Sequence, residues 1–333
     1  MSIVSRKLCV APMMDWTDRH CRYFHRLLSP DAVLYSEMIT TDAVIFGDRG
    51  RLLDFSSQEH PVALQLGGCD PSKLAQAAKI GEALGYDEIN FNVGCPSDRV
   101  REGRFGACLM AEPEHVKECV GAMCEAVSVP VSVKCRIGID ERDGCEDFNH
   151  FIETVAQAPC RVFIVHARKA WLNGLSPKQN REVPPLDYQR VYRLKRARPD
   201  LEIIINGGIA TLEACERHLR FSDGVMLGRA AYQTPYILAM AQQRLIRPDV
   251  ALPVREDVLR ELVPYVAAHV SRGGRVNNIT RYILGLYSGI RGGRAFRRYL
   301  SENAVGSSAG VEVLEEAIAI VEHYGELEAA LVS

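Results

Sequence analysis

No apolar run in the chain approaches the ~18 residues that span a bilayer, which excludes a helical membrane span. Charged residues make up 25% of the 333 positions, too many for a membrane protein and too few for a disordered one. The apolar stretch behind Arg6 and Lys7 stops at Met14 and meets Asp15. It is too short for the core of a secretory signal, so the cytoplasm is the expected compartment. Eleven cysteines are present without a CxxC pair, and scattered thiols in a long chain are expected to be free rather than a disulfide framework. No Cys or His pair is recognised at zinc spacing, so no metal is expected. An excess of either charge is also missing. Forty basic residues stand against 42 acidic ones, a net charge of −2, so any contact with nucleic acid has to be a local patch. Finally, the first strand candidate runs into Pro12-Met13-Met14 and not into a glycine fingerprint, which argues against a doubly wound dinucleotide fold.

What is there instead is alternation. Eight short β-branched runs, at residues 9–12, 32–36, 62–66, 88–92, 131–135, 162–166, 203–206 and 224–227, are separated by segments with helix signals. Those at 71–84, 113–127, 147–156 and 211–219 are the clearest, and Thr211 is placed to cap the last. This predicts the α/β class, a (β/α)8 TIM barrel. After Tyr236 apolar residues recur at helical spacing in 258–270, 279–286 and 311–321, which predicts an all-helical C-terminal domain. The expected division is 1–245 for the barrel and 246–333 for the helical domain.

The runs end in polar residues. Met13, Glu37, Gln65, Asn92, Lys134, His166, Asn206 and Arg229 would gather round one barrel mouth, where buried polar groups without partners are costly and therefore functional candidates. Asn206-Gly207-Gly208 and Gly228-Arg229 close the seventh and eighth strands, where such barrels commonly hold a phosphate. Glycine N–H groups and a guanidinium suit that ligand. Lys134 fits either a cation facing an electron-rich cofactor or a Schiff-base lysine. His166 could position a cofactor or balance negative charge. The long loop after the fourth strand carries Cys95 and Cys108, either of which could serve as a general acid.

These residues resemble the tRNA-dihydrouridine synthase family, and most closely its A subfamily. The resemblance covers nearly the whole chain. It rests on Ala11-Pro12-Met13-Met14-Asp15, Gln65 with Leu66-Gly67-Gly68, Asn90 to Ser97, Gly106-Ala107-Cys108-Leu109-Met110, Val133-Lys134-Cys135-Arg136, Val165-His166-Ala167-Arg168, Asn206-Gly207-Gly208 and Asp223 to Arg229. It implies FMN held noncovalently by Pro12, Met13, Met14, Gln65, Lys134, His166, Asn206, Gly207, Gly208, Gly228 and Arg229, with NADPH as electron donor at the same mouth. It also implies the reaction: uridines of the tRNA D-loop, at 20/20a, are reduced at C5=C6 by hydride from FMN to C6 and a proton to C5. The family's acid is the cysteine of Gly-Ala-Cys-Leu, here Cys108. The subfamily is matched at Asn180-Arg181-Glu182 and from Arg275 to Arg281. It is departed from at Tyr282, where histidine is expected, and at Phe296, where tryptophan is usual.

From Arg272 to Arg298 the chain has seven arginines and no acidic residue, in a protein whose acids outnumber its bases. Arg291, Arg294, Arg297 and Arg298 are therefore expected to contact RNA phosphates, which position an RNA without reading it. Lys178 and Arg181 join them from the loop after the sixth strand, with Asn92, Arg99 and Asn180 as further candidates for tRNA. No protein partner is implied. A flavin barrel reducing a small dihydropyrimidine or enone would not need the basic helices, a Schiff-base aldolase would not need flavin, and an RNA-binding module would not need polar residues on every strand end.

Overall fold

In the computed structural model, which describes residues 5–97, 102–306 and 308–332, eight parallel strands close a barrel in sequence order. They are β1 (Leu8–Val10), β2 (Val33–Thr40), β3 (Val62–Gly67), β4 (Glu88–Val93), β5 (Val131–Arg136), β6 (Val162–His166), β7 (Glu202–Asn206) and β8 (Gly224–Leu227). β6 and β8 begin and end where the sequence placed them. β2 runs further than expected because its register with β3 shifts between Tyr35 and Met38. Such a bulge lets the strand pass the polar pair Ser36-Glu37 and continue. The interior is filled by Cys9, Ala11, Val33, Tyr35, Ala63, Val162, Ile164, Ile204 and Met226, with Met13 packed against them.

Two compact units share the chain: Met1–Thr17 with Ala32–Gly228, and Asp18–Asp31 with Arg229–Ser333. The expected boundary after residue 245 falls inside the second unit. In the barrel unit the longer helices are cut where capping chemistry allows. Pro71–Ala83 has Asp70 accepting from Ser72 and Lys73 N–H groups, and Leu212–Leu219 has the expected Thr211 cap. The second unit begins with α1 (Arg19–Leu28), capped by Asp18, whose carboxylate accepts from the His20 and Cys21 N–H groups. It continues with α2 (Arg255–Ser271), α3 (Gly293–Asn303) and α4 (Glu312–Val332). α1 packs on α2 through Tyr23 stacked on Tyr265 at 3.8 Å and His20 Nδ1 2.8 Å from the Tyr265 hydroxyl.

The helix expected over 279–286 is only partly there. Asn277–Thr280 is helical, and the chain then winds on through i→i+3 bonds such as Tyr282 N–H to Ile279 O at 3.1 Å. Gly285 is required in this stretch, since a Cβ there would sit 2.1 Å from the Gln233 carbonyl oxygen. Among the described residues no helix is long and apolar enough to cross a membrane.

Candidate active site

Side-by-side partners in a parallel ladder face the same way. Asn90 and Asn92 on β4 lie beside Ser132 and Lys134 on β5, Lys134 and Arg136 beside Ile164 and His166, and His166 beside Asn206. Ile164 belongs to the barrel interior, so this whole set points inward, with its last members at the C-terminal rim. The structure thus brings Gln65, Asn92, Lys134, His166 and Asn206 to one end of the barrel. Their orientations are fixed by hydrogen bonds. Asn206 Nδ2 donates to Met226 O at 2.8 Å, which leaves Oδ1 to accept from Lys134 Nζ at 3.3 Å. Asn92 Nδ2 donates to Gln65 Oε1 at 2.8 Å while its Oδ1 accepts from the Gly94 and Cys95 N–H groups at 3.1 and 3.0 Å.

Burial and mutual repulsion tune the bases. Burial, and then Arg136, push the Lys134 ammonium down to about 8. Burial, then Arg136 and Lys134, hold the His166 imidazole well below its ordinary value, so it is neutral at pH 7 and offers one N–H donor. Arg136, lowered to about 10 by burial, stays cationic. A mouth built this way favours an anion or an electron-rich ring.

Glycines supply the rest of the cradle. Gly207 and Gly208 adopt φ of 115° and 67°, and a Cβ at Gly207 would come within 2.7 Å of the His166 ring. The Tyr188 hydroxyl fixes this turn by donating to Gly207 O at 2.8 Å. At Gly228 a Cβ would meet nothing within 4 Å, which leaves backbone open to a ligand. On the first loop, Thr17 closes the Met13 turn by accepting from Met13 N–H at 2.9 Å. Pro12 and Met13 are half-buried and Met14 is exposed. An amide, a cation, a neutral imidazole and open glycine backbone form a donor set that fits a phosphorylated planar heterocycle.

The two thiols have different neighbours. Cys95 follows β4 and is tied back to Asn92, and the carbonyl of Gly94 before it accepts from Arg136 Nε at 2.8 Å. Cys108 sits in the 3-10 turn Gly106–Ala111, donates to Phe105 O at 3.1 Å, and is raised above the ordinary thiol value by burial and then by Glu112. Ala107 N–H donates to Cys95 O at 2.9 Å, so the two stretches of the loop are joined.

Sequence reasoning passed over Arg136. Its Nε donates to Gly94 O at 2.8 Å and its Nη1 to Lys169 O and Asn180 O at 3.0 and 3.1 Å, which locks the loops after β4 and β6 to the end of β5. The signal was there: Ser132, Lys134 and Arg136 alternate on one face. Two Cys/His pairs at helical spacing were also missed, Cys21 with His25 and His115 with Cys119. Within each the thiol lies near the imidazole, and no group of three or more His, Cys, Asp or Glu fit to hold a metal occurs among the described residues.

Asn180 is corrected from RNA contact to scaffold. It is buried, with Oδ1 accepting from Trp171 N–H and Nδ2 donating to Trp171 O and Leu175 O, so it has nothing to offer a ligand. Lys178 and Arg181 are exposed on the same loop. Arg99 lies outside the described residues. In the second unit Arg291, Arg294, Arg297 and Arg298 are exposed and have no acidic partner among the described residues. Tyr282 and Phe296 are buried there, beside Tyr232 and Tyr287, so these departures from the subfamily fall on packing.

Fold and site together define a barrel enzyme that holds a cofactor or substrate at the C-terminal ends of its strands. The family model for dihydrouridine synthase (Dus) matches residues 9–322. Proteins named tRNA-dihydrouridine(20/20a) synthase are 58% identical in Shewanella oneidensis, over 94% of this chain and 93% of theirs, and 57% in Xanthomonas campestris, over the same shares. The protein of that name in Vibrio cholerae is 54% identical over 95% of this chain and 96% of its own. A solved complex of 2-naphthoyl-CoA reductase superposes with a TM-score of 0.54 at 11% identity, covering 73% of this chain and 51%, about half, of that one. That likeness is one of fold alone. The chain belongs to the dihydrouridine synthase family and is an oxidoreductase.

Proposed function

We propose that this protein reduces uridines of the tRNA D-loop, at 20/20a, to dihydrouridine, with FMN as its noncovalent cofactor and NADPH as electron donor. The observation that carries the cofactor is the cationic mouth, where Lys134, neutral His166, Gln65 and Asn206 share the strand ends with the positive-φ turn of Gly207 and Gly208 and the open backbone of Gly228. The names of the relatives support the substrate. Pro12, Met13 and Met14 border the flavin, and Arg229, next in the chain to Gly228, is the proposed partner of its phosphate. Bound and reduced, FMN would supply hydride for C6 of a uracil whose C5=C6 bond is polarised by the adjacent carbonyl. Lys134 orients the flavin and balances its negative charge, and His166 adds a neutral donor.

A thiol of the loop after β4 then gives C5 its proton. The resemblance implied Cys108, but the surroundings favour Cys95, whose N–H is held by Asn92 at the end of β4 and whose neighbour Gly94 is bonded by Arg136, whereas Cys108 donates to the Phe105 carbonyl. The uridine has to leave its stack to reach a barrel mouth, a cost of a few kcal/mol that a loop keeps low. Exposed arginines of α3, without acidic partners among the described residues, favour RNA over a small enone or dihydropyrimidine as substrate. Purified protein should show a flavin absorption band, and its NADPH-reduced form should be reoxidised by tRNA lacking dihydrouridine but not by free uracil. Reoxidation by the free base at the same rate would return the small-molecule alternative.

A further inference from the structure

Below the mouth, a file of buried polar side chains runs along the inner wall of the barrel. The Glu88 carboxylate, ion-paired with Arg6 at 2.7 Å and accepting from the Tyr35 hydroxyl at 2.8 Å, also accepts from the Ser132 hydroxyl. Ser132 Oγ accepts from Asn90 Nδ2 at 2.7 Å, Asn90 Oδ1 from Gln65 Nε2 at 2.7 Å, and Gln65 Oε1 from Asn92 Nδ2 at 2.8 Å. Asn92 Oδ1 ends the file on the N–H groups of Gly94 and Cys95. Glu88, Asn90 and Ser132 are wholly buried, and Gln65 nearly so.

The two ends decide the direction of everything between them. A carboxylate paired with a guanidinium can only accept, and a backbone N–H can only donate. Ser132 therefore gives its one proton to Glu88 and has only lone pairs left for Asn90. That turns the Asn90 oxygen toward Gln65, which turns the Gln65 nitrogen toward Asn90 and its oxygen toward Asn92. Flipping any one amide would set donor against donor and acceptor against acceptor among buried groups, where an unmatched polar atom is costly.

We propose that Glu88, Ser132 and Asn90 are positioning residues for the reaction: they fix which atom of the Gln65 amide stands where and, through Asn92, hold the backbone that bears Cys95. This rests on the proposed flavin site, because Gln65 is one of its members.

The test uses the FMN-loaded full chain and two substitutions. Ser132→Ala cuts the file and leaves the Arg6, Glu88 and Tyr35 cluster in place; Glu88→Gln keeps the shape but replaces the acceptor-only end with one that can also donate. Both should fold with native circular dichroism, yet bind FMN about tenfold more weakly, with shifted flavin absorption bands. The side-chain amide protons of Gln65 and Asn90 should exchange faster in the cofactor-free variants, and Ser132→Thr should restore all three readouts. Wild-type FMN affinity, bands and exchange in both variants, even with a lowered melting temperature, would mean that the file only stabilises the barrel and would overturn the proposal. Should Glu88→Gln not fold, Ser132→Ala decides. Should the wild-type protein take up no FMN, the cofactor assignment falls, and amide exchange alone judges the file.

Discussion

Cys95 and Cys108 lie on one long loop, and their neighbours separate them. Cys95 is held at the end of β4 by Asn92, beside the Gly94 carbonyl that Arg136 bonds, whereas Cys108 donates its proton to Phe105 O and is raised by burial and then by Glu112. Cys95→Ala is expected to keep FMN and its reduction by NADPH but to slow reoxidation by tRNA by roughly 10²-fold or more, the usual worth of a general acid. Cys108→Ala should be mild. Single-turnover flavin reoxidation checks both, and the opposite ranking would return the role to Cys108. Lys134 allows a second prediction. With its ammonium pushed down to about 8 before cofactor binds, the cation is present below that pH and lost above it. FMN affinity should therefore fall as pH rises through about 8, and Lys134→Arg should move the decline upward, since arginine stays charged. Affinity that stays flat from about pH 6 to 9.5 would remove the lysine's charge from cofactor binding. Lys134 and His166 were legible in the sequence because each is a base at the end of an apolar strand. Arg136 showed only as the third member of an alternating face, and its role did not, because the carbonyls of Gly94, Lys169 and Asn180 that it bonds leave no mark on residue identity.

Strands and helices were legible to the degree that their burial is regular. β6, an unbroken buried run with a polar end, is whole in the sequence reading, whereas the run read for β2 stops at its bulge. The loop after β6 misled in another way. An asparagine among exposed residues reads as a contact, but Asn180 turns inward and satisfies three backbone groups; emptying such a site costs ~1–3 kcal/mol. α3 shows the opposite case, in which its arginines have no acidic partner among the described residues. Arg294 and Arg298 are one helical turn apart on that helix and both exposed. Replacing both by Ala should weaken tRNA binding whatever its sequence and flatten its salt dependence by about 0.7–0.9 in log–log slope per lost phosphate contact. NADPH oxidation with an artificial acceptor should be unchanged. Filter binding across a salt series measures this, and an unchanged slope would take α3 off the RNA-binding surface.

At the scale of the whole molecule, the barrel was foreseeable from its eight runs, whereas the division of the chain was not. Pattern is local, and α1 joins helices that follow some two hundred residues later. It is held there by Ser29 Oγ donating to Gln242 Oε1 at 2.7 Å, Arg281 pairing with Asp18 at 3.0 Å, and the Tyr23–Tyr265 stack. Expressed alone, residues 229–333 should lack a cooperative thermal transition, and adding a peptide of residues 18–31 should restore one. Calorimetry of the fragment with and without the peptide measures this; a sharp transition without it would show that α1 is dispensable.

The same arrangement sets a clock on synthesis. His20 leaves the ribosome 245 residues before its partner Tyr265. At roughly 5–20 residues per second, that is on the order of ten to fifty seconds. During that interval the nascent chain displays an aromatic helix face with nothing yet made to cover it. Slowing translation should therefore lower the yield of native enzyme, and a chaperone that shields short apolar helices should recover it.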